Sequence, residues 1–484
     1  MNSETPTLQP IRPAYHVRIL EDEQLHQLQS ATLEILAQVG VHCPSEKALQ
    51  IYAEHGGLVD FSHQVVKLPP QIVLEAMSHA PRFYTMGARE AAFDLKLDGK
   101  ALYCATDGCG VETIDFVTRQ RRRSRKDDVA NMARVCDYLS AIGFYWPLVS
   151  AQDFPNTAPL HEVDAAFNNT IKHVQSETIM GEWTARYAIE MADVVAGSEI
   201  VRRQRPPLSL LVCSIAPLAQ DRDGLESALL FAQAGLPVGF MSMANTGSTA
   251  PATLAGTLVT ADAEIISALV LIQMASPGAP VFHSMMPGIM HPRTGDYLSS
   301  TLESSSYYPL GTELAHNWGV PTLAGVFGTD AMVPGWQSAA EAESSLLLCA
   351  LTGAETGSGL GLVESCMLLY PEAVLLDADV YHRVRHEAAG LDTSPEALAL
   401  DVIKEVGPGG HFLAHRHTRV HLRQREFSQL TSQPNPGGGI RDPLEVAREK
   451  VEWILANHKP RRLDDAQINE LTRILNAADR EKGN

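Results

Sequence analysis

Apolar residues recur at helical spacing along EDEQLHQLQSATLEILAQVG, Glu21 to Gly40, with acids at the start and glycine at the end. That pattern predicts a helix. Ser45–Ala53 and Pro69–Ala80 repeat it, with short extended stretches between them and around Arg82–Ala101. Residues 1–100 therefore read as an N-terminal helical cap. From about Ala101 short apolar or β-branched runs, starting near Leu102, Gly143, Val174, Leu208, Pro237, Pro280, Pro321 and Ser358, alternate with longer Ala- and Leu-rich helical patterns. The helical partners are Asp127–Ser140, Leu160–Lys172, Thr184–Gly197, Arg222–Gly235, Pro251–Ala275, Glu303–Trp318, Trp336–Gly353 and Pro371–Gly390.

About eight strand–helix pairs is the number that closes a parallel barrel. The joints share one grammar, as in AGLPVGF at Ala234 and PGAPVFH at Pro277, where glycine ends a helix and proline or glycine opens a buried strand. The expected fold is α/β, a (β/α)8 TIM-type barrel over 101–390. A doubly wound open sheet is the competitor, since periodicity does not reveal closure. Beyond Gly390 the alternation stops, and 391–484 reads as a C-terminal loop and helical extension packed on the barrel. Within it Ser394–Val406 is helical, GPGGHFLAHRHT from Gly407 is a loop, QPNPGGGIRDP from Gln433 is a linker, and Pro443–Asn457 and Asp464–Ala478 are amphipathic helices.

Composition narrows the partners. The chain has 484 residues and a formal net charge of −19, which disfavours nucleic acid and anionic membrane as partners. Seven scattered cysteines without CxxC spacing imply no cluster, zinc ribbon or disulfide framework. With no leader-like start and no long uninterrupted apolar run, the expectation is a reduced, cytoplasmic, soluble protein. The run RQRRRSRK, Arg119 to Lys126, reads as a solvated surface or a contact for an acidic partner.

No GxGxxG, GxxxxGK[ST] or GxSxG is present, so nothing supports NAD, another nucleotide or a nucleophile elbow. No S-adenosylmethionine motif stands out either. In a parallel barrel, functional groups sit past the C-terminal ends of strands. Those positions hold Asp107, Gln175, Glu177, His283, His291, Phe327, Asp330 and Glu364, among others. Phe240, Tyr297, Phe327 and Trp336 fall nearby; ring faces beside a carboxylate suit a quaternary ammonium cation. His411, His415, His417 and His421 have spacing that could bind zinc, but Arg416 and Arg419 oppose a metal site, so no metal is assigned.

Three segments carry a resemblance. Thr246–Pro280 (TGSTAPATLAGTLVTADAEIISALVLIQMASPGAP), Gly319–Ala331 (GVPTLAGVFGTDA) and Val406–Thr418 (VGPGGHFLAHRHT) are similar, in order, to the trimethylamine methyltransferase family. The resemblance implies a barrel whose mouth receives a corrinoid (cobalamin) carried by a partner protein, and a methylated amine as donor. Archaeal members hold pyrrolysine immediately before a Ser-Asp-Ala stretch that resembles Thr329-Asp330-Ala331, so Gly328 stands at that position here. Members without pyrrolysine use quaternary amines such as glycine betaine, which makes that class the expected substrate.

The expected catalytic positions are Gly328, Glu177, Glu364 and Asp107, the carboxylates orienting the amine. Phe327, Phe240, Tyr297 and Trp336 would surround the amine, with His283, His291, Arg293, His411, His415 and His417 as candidates for a substrate carboxylate. Partners would be the small amine, the corrinoid protein and a second copy in a homo-oligomer. Two other functions fit the residues: a metal-dependent barrel hydrolase or lyase using the histidines, and a non-catalytic methylated-amine-binding protein.

Overall fold

The computed structural model describes residues 7–108 and 110–483, which leaves Cys109 outside the described residues. Eight parallel strands form a closed barrel: β1 (Tyr103–Thr106), β2 (Ile142–Tyr145), β3 (His173–Ser176), β4 (Leu208–Cys213), β5 (Val238–Ser242), β6 (Val281–Met285), β7 (Thr322–Ala324) and β8 (Thr356–Leu360). Strand β8 pairs with β1 through Thr356–Tyr103 and Gly357–Cys104, which rules out the open sheet. The strands alternate with helices α1 (Lys126–Tyr138), α2 (Ala158–Asn169), α3 (Glu182–Ala196), α4 (Arg222–Ala234), α5 (Leu254–Ala275), α6 (Tyr307–Asn317), α7 (Trp336–Thr352) and α8 (Ala373–Ala388).

Local chemistry fixes these boundaries. Asp221 caps α4 by accepting from the Gly224 amide at 2.6 Å, and Gly235 ends the helix with φ of 77°. Gly353 does the same after α7. On the strands, alternate side chains divide into two cores. Tyr103, Ala105, Phe144, Trp146, Leu211, Met241, Phe282 and Leu323 fill the lumen. Val174, Leu210, Val238, Phe240 and Val281 join the larger core beneath the helices. Gly239 is required at its place, because an added Cβ would lie 2.0 Å from the Phe282 ring.

Helix α5 is long and apolar enough to cross a bilayer, yet most of it is buried. The cap helices Asp22–Gln38 and Pro70–Ser78 pack over it, so it is a core helix of the barrel wall. The short extended stretches expected between the cap helices are Val41–His42, Leu58–Asp60 and Val65–Lys67, which form a small antiparallel sheet. A hairpin, Tyr84–Met86 with Leu95–Leu97, plugs the N-terminal end of the lumen. That leaves the C-terminal end as the accessible mouth.

In the C-terminal extension the predicted loop from Gly407 gives way to a helix, Arg416–Gln424, capped by the His415 side chain. The single helix predicted over Ser394–Val406 is two, Pro395–Leu398 and Leu400–Val406, broken at Ala399 in the left-handed conformation. Helix Pro443–Asn457 returns to pack on α1 and α8, and Asp465–Lys482 packs on α3.

Candidate active site at the barrel mouth

Loops after β1, β3, β6, β7 and β8, with the start of helix α6, gather Asp107, Glu177, Tyr297, Tyr308, Asp330 and Cys366 into one electrostatically linked group. Asp107 follows β1 and is anchored by its amide, which donates to the Leu360 carbonyl at 3.1 Å. Its carboxylate accepts from the Gly108 amide at 2.9 Å and from the Cys366 thiol. Burial raises its pKa, and these two donors oppose the rise. Glu177 lies beyond the end of β3, and its Oε1 is buried without a hydrogen-bond partner. Burial pushes that carboxyl up to about 8, with Asp107 adding to the shift.

The segment carrying Gly328 is held firmly. Asp330 accepts from the Ser299 and Ser300 amides, each at 3.0 Å, from the Ser299 hydroxyl at 2.9 Å and from the Ser365 hydroxyl at 2.7 Å. The Gly328 carbonyl accepts from the Ser300 hydroxyl, and Thr329 donates to Glu341. A Cβ built on Gly328 meets nothing closer than the Tyr308 hydroxyl at 3.6 Å, with Ser299 Oγ at 3.7 Å. A side chain could therefore be accommodated there.

Across from it Glu364, Ser365 and Cys366 have φ of 55°, 50° and 73°. Three successive side-chain-bearing residues in the left-handed region cost about 1–2 kcal/mol each. Their amides and side chains compensate: the Glu364 amide donates to Ala331, the Ser365 amide to Thr329, and the Cys366 thiol to Asp107.

Of the expected site residues, Asp107, Glu177, Tyr297 and Gly328 come together, and the others do not. Glu364 is committed to an ion pair with Arg121 at 2.9 Å. Phe240 is fully buried on the outer face of β5, and Phe327 joins the same outer core. Trp336, 85% exposed at the start of α7, stands clear of them. An aromatic cage is thus not assembled from these four. Tyr297 spends its hydroxyl on the Met286 carbonyl at 2.6 Å.

His283 also points outward from β6, where Nε2 meets Asp262 of α5 at 3.0 Å. His291 caps its own turn by accepting from the Arg293 and Thr294 amides, and Arg293 is exposed. His415 pairs with Glu405 at 3.3 Å, and its ring and those of His417 and His421 neighbour one another. His411 is exposed on the same extension, and His417 keeps a buried Nε2 without a partner. Among the described residues no three His, Cys, Asp or Glu side chains gather as a metal-ligand set. The basic run is also absorbed: Arg119 pairs with Glu372, Arg121 with Glu112, and Arg122 with Asp115 and Asp128.

Cys366 and Tyr308 were not legible as site residues in the sequence. Tyr308 lies on a helix rather than at a strand end, and Cys366 reaches the mouth only through the left-handed turn. A groove of about 590 Å³ between α8 and the C-terminal extension, lined by Asp379, His382, Glu426 and Lys450 among others, is separate from this site. At the mouth two buried carboxyls, Asp107 and Glu177, feel each other's charge.

A closed (β/α)8 barrel plugged at one end, with chemistry gathered on the loops at the other, defines a barrel enzyme. The trimethylamine methyltransferase (MTTB) family matches residues 2–482, and this chain belongs to that family of methyltransferases. The trimethylamine methyltransferase of Desulfitobacterium hafniense is 32% identical over 96% of this chain and 94% of its own length. That of Methanosarcina barkeri (strain Fusaro) is 30% identical over 96% of both. A glycine betaine methyltransferase of Desulfitobacterium hafniense is 27% identical over 93% of this chain and 95% of its own. The crystal structure of the Methanosarcina barkeri monomethylamine methyltransferase shares the fold, with a TM-score of 0.53 and 11% identity over 97% of this chain and 88% of that one.

Proposed function

We propose that this protein transfers a methyl group from a quaternary amine of the glycine betaine kind to the Co(I) of a corrinoid carried by a partner protein. The observation that carries this is Gly328. At the position matched to pyrrolysine the chain has no side chain at all, with the nearest atoms to a built Cβ 3.6 Å away. The site therefore offers no electrophile of its own there, and the substrate must bring its activation with it. A quaternary ammonium does, because its nitrogen leaves as a neutral amine.

When the partner's corrinoid is present it supplies a reduced cobalt nucleophile. The protein's part is to bind and align the amine and to exclude water. As the methyl departs, the C–N bond breaks with both electrons kept by nitrogen, so the positive charge on the amine fades. Binding that charge tightly would favour the ground state over the transition state. Asp107, with its negative charge shared with the Gly108 amide and the Cys366 thiol, is a tempered counter-ion for this purpose. The rim fits a protein-borne macrocycle, since Leu302, Met332, Val333 and Met367, on the loops after β6, β7 and β8, and Trp336 at the start of α7 leave large apolar side chains exposed.

The test supplies cob(I)alamin, with and without a cognate corrinoid protein, and a panel of mono-, di-, tri- and tetra-substituted amines, and follows the visible spectrum of the cobalt. Methylation by quaternary amines above the rate without protein is expected. If trimethylamine is the better donor, the assignment to quaternary amines is wrong; if no amine reacts, so is the methyl transfer.

A further inference from the structure

Two buried polar atoms at the C-terminal end of β3, Gln175 Nε2 and Glu177 Oε1, have no hydrogen-bond partner among the described residues. Gln175 lies within β3, and Glu177 is the first residue past its end, two positions further on. Gln175 is fully buried, its Oε1 lies 3.5 Å from the Ser209 hydroxyl, and its Nε2 has no partner. Glu177 Oε1 has none either. Buried polar groups are otherwise almost always paired, so two adjacent exceptions at a strand end mark a place where a ligand completes the set.

The proton between the two acids has a clear preference. Asp107 receives the Gly108 N–H and the Cys366 S–H, both of which favour its ionised form. No donor reaches Glu177 Oε1. Two like charges that act on each other in a desolvated site do not both ionise readily, and the donors on Asp107 put the proton on Glu177. Other groups around the pair do not reverse this. Cys213 of β4, Cys366, Tyr297 and Tyr308 are all held neutral by burial, and Asp330 raises Cys366 and the two tyrosines further.

We propose that Gln175 and Glu177 form the subsite for the carboxylate of a betaine, Gln175 donating from Nε2 and Glu177 donating from its carboxylic acid, with Asp107 as the counter-ion to the ammonium. This rests on the quaternary-amine function above and deepens it, since it separates zwitterionic amines from those lacking a carboxylate. It also replaces the histidines and Arg293, none of which the fold turns toward Glu177. The Glu177 carboxyl titrates at about 8, so the donor disappears above that pH and a repelling charge takes its place.

Binding alone tests the subsite, without cobalt or partner. Isothermal titration of the full-length protein with glycine betaine and with tetramethylammonium, at pH 6.5 and 9.5, should show betaine weakening at least about tenfold at the higher pH. Tetramethylammonium should hold or tighten, because it gains a second carboxylate. Glu177→Gln, which keeps a donor that cannot ionise, should retain betaine binding and abolish its pH dependence. Gln175→Leu should weaken betaine about tenfold and leave tetramethylammonium unchanged, with thermal unfolding confirming that both variants fold. Equal pH profiles for the two ligands, or an unaltered profile in Glu177→Gln, would overturn the subsite while the amine function stands. Binding of neither ligand by the wild-type protein would remove the amine function, and the subsite with it.

Discussion

Single polar side chains carry much of this structure. Asp262, fully buried on α5, accepts from the Thr32 hydroxyl at 2.7 Å and the Trp318 indole at 3.0 Å, and faces His283 at 3.0 Å. It joins the cap, the barrel wall and α6 at one point. Asp262→Ala leaves three buried partners without an acceptor and is expected to cost about 3–5 kcal/mol, measured by urea unfolding. A loss below about 1 kcal/mol would mean these contacts are replaceable. The sequence could mark His283 as a strand-end residue but not its direction. A strand alternates faces, and a register shift of one residue turns histidine from lumen to helix layer.

At the level of elements, the mouth depends on loops that bind each other. Asp330 fastens the segment after β6 to that after β7, and through Ser365 to the left-handed turn after β8. Asp330→Ala should destabilise by about 3 kcal/mol in denaturant titration. Hydrogen exchange should rise at Ser299, Ser300 and the 364–366 turn before it rises in the strands. Uniform exchange across the barrel would show that the loops have no separate stability. The sequence predicted the eight strand–helix pairs because helix caps and buried runs are local signals. It left the turn at Glu364 unannounced, since no glycine marks three residues forced into the left-handed region by contacts distant in the chain.

Over the whole molecule, buried titratable groups set the pH response. His173 and His382 are pushed down to about 4 by burial, so the unfolded chain binds protons there first and stability rises with pH up to about 6.5. Glu177 and Asp377 are raised by burial to about 8 and about 7, so the folded state holds the extra protons. Their contribution is complete at low pH and is lost as pH rises toward 8. The histidine gain has ended by then, and stability should fall between about pH 6.5 and 8. Glu177→Gln with Asp377→Asn should flatten that fall, by an amount on the order of 2 kcal/mol in chemical denaturation. Above about 8, Lys172, lowered to that value by burial, acts in the opposite direction.

The sequence by itself determined the eight strand–helix pairs and the family. Periodicity, caps and turn residues are properties of neighbouring positions, and they survive in one dimension. Tertiary structure decided which strand-end residues face the mouth. It turned Phe240 and His283 into the helix layer, left Trp336 in solvent, paired Glu364 with Arg121, and left Gln175 and Glu177 each with an unsatisfied polar atom. Those outcomes depend on barrel closure, on register and on long-range hydrogen bonds between loops, which no local pattern encodes.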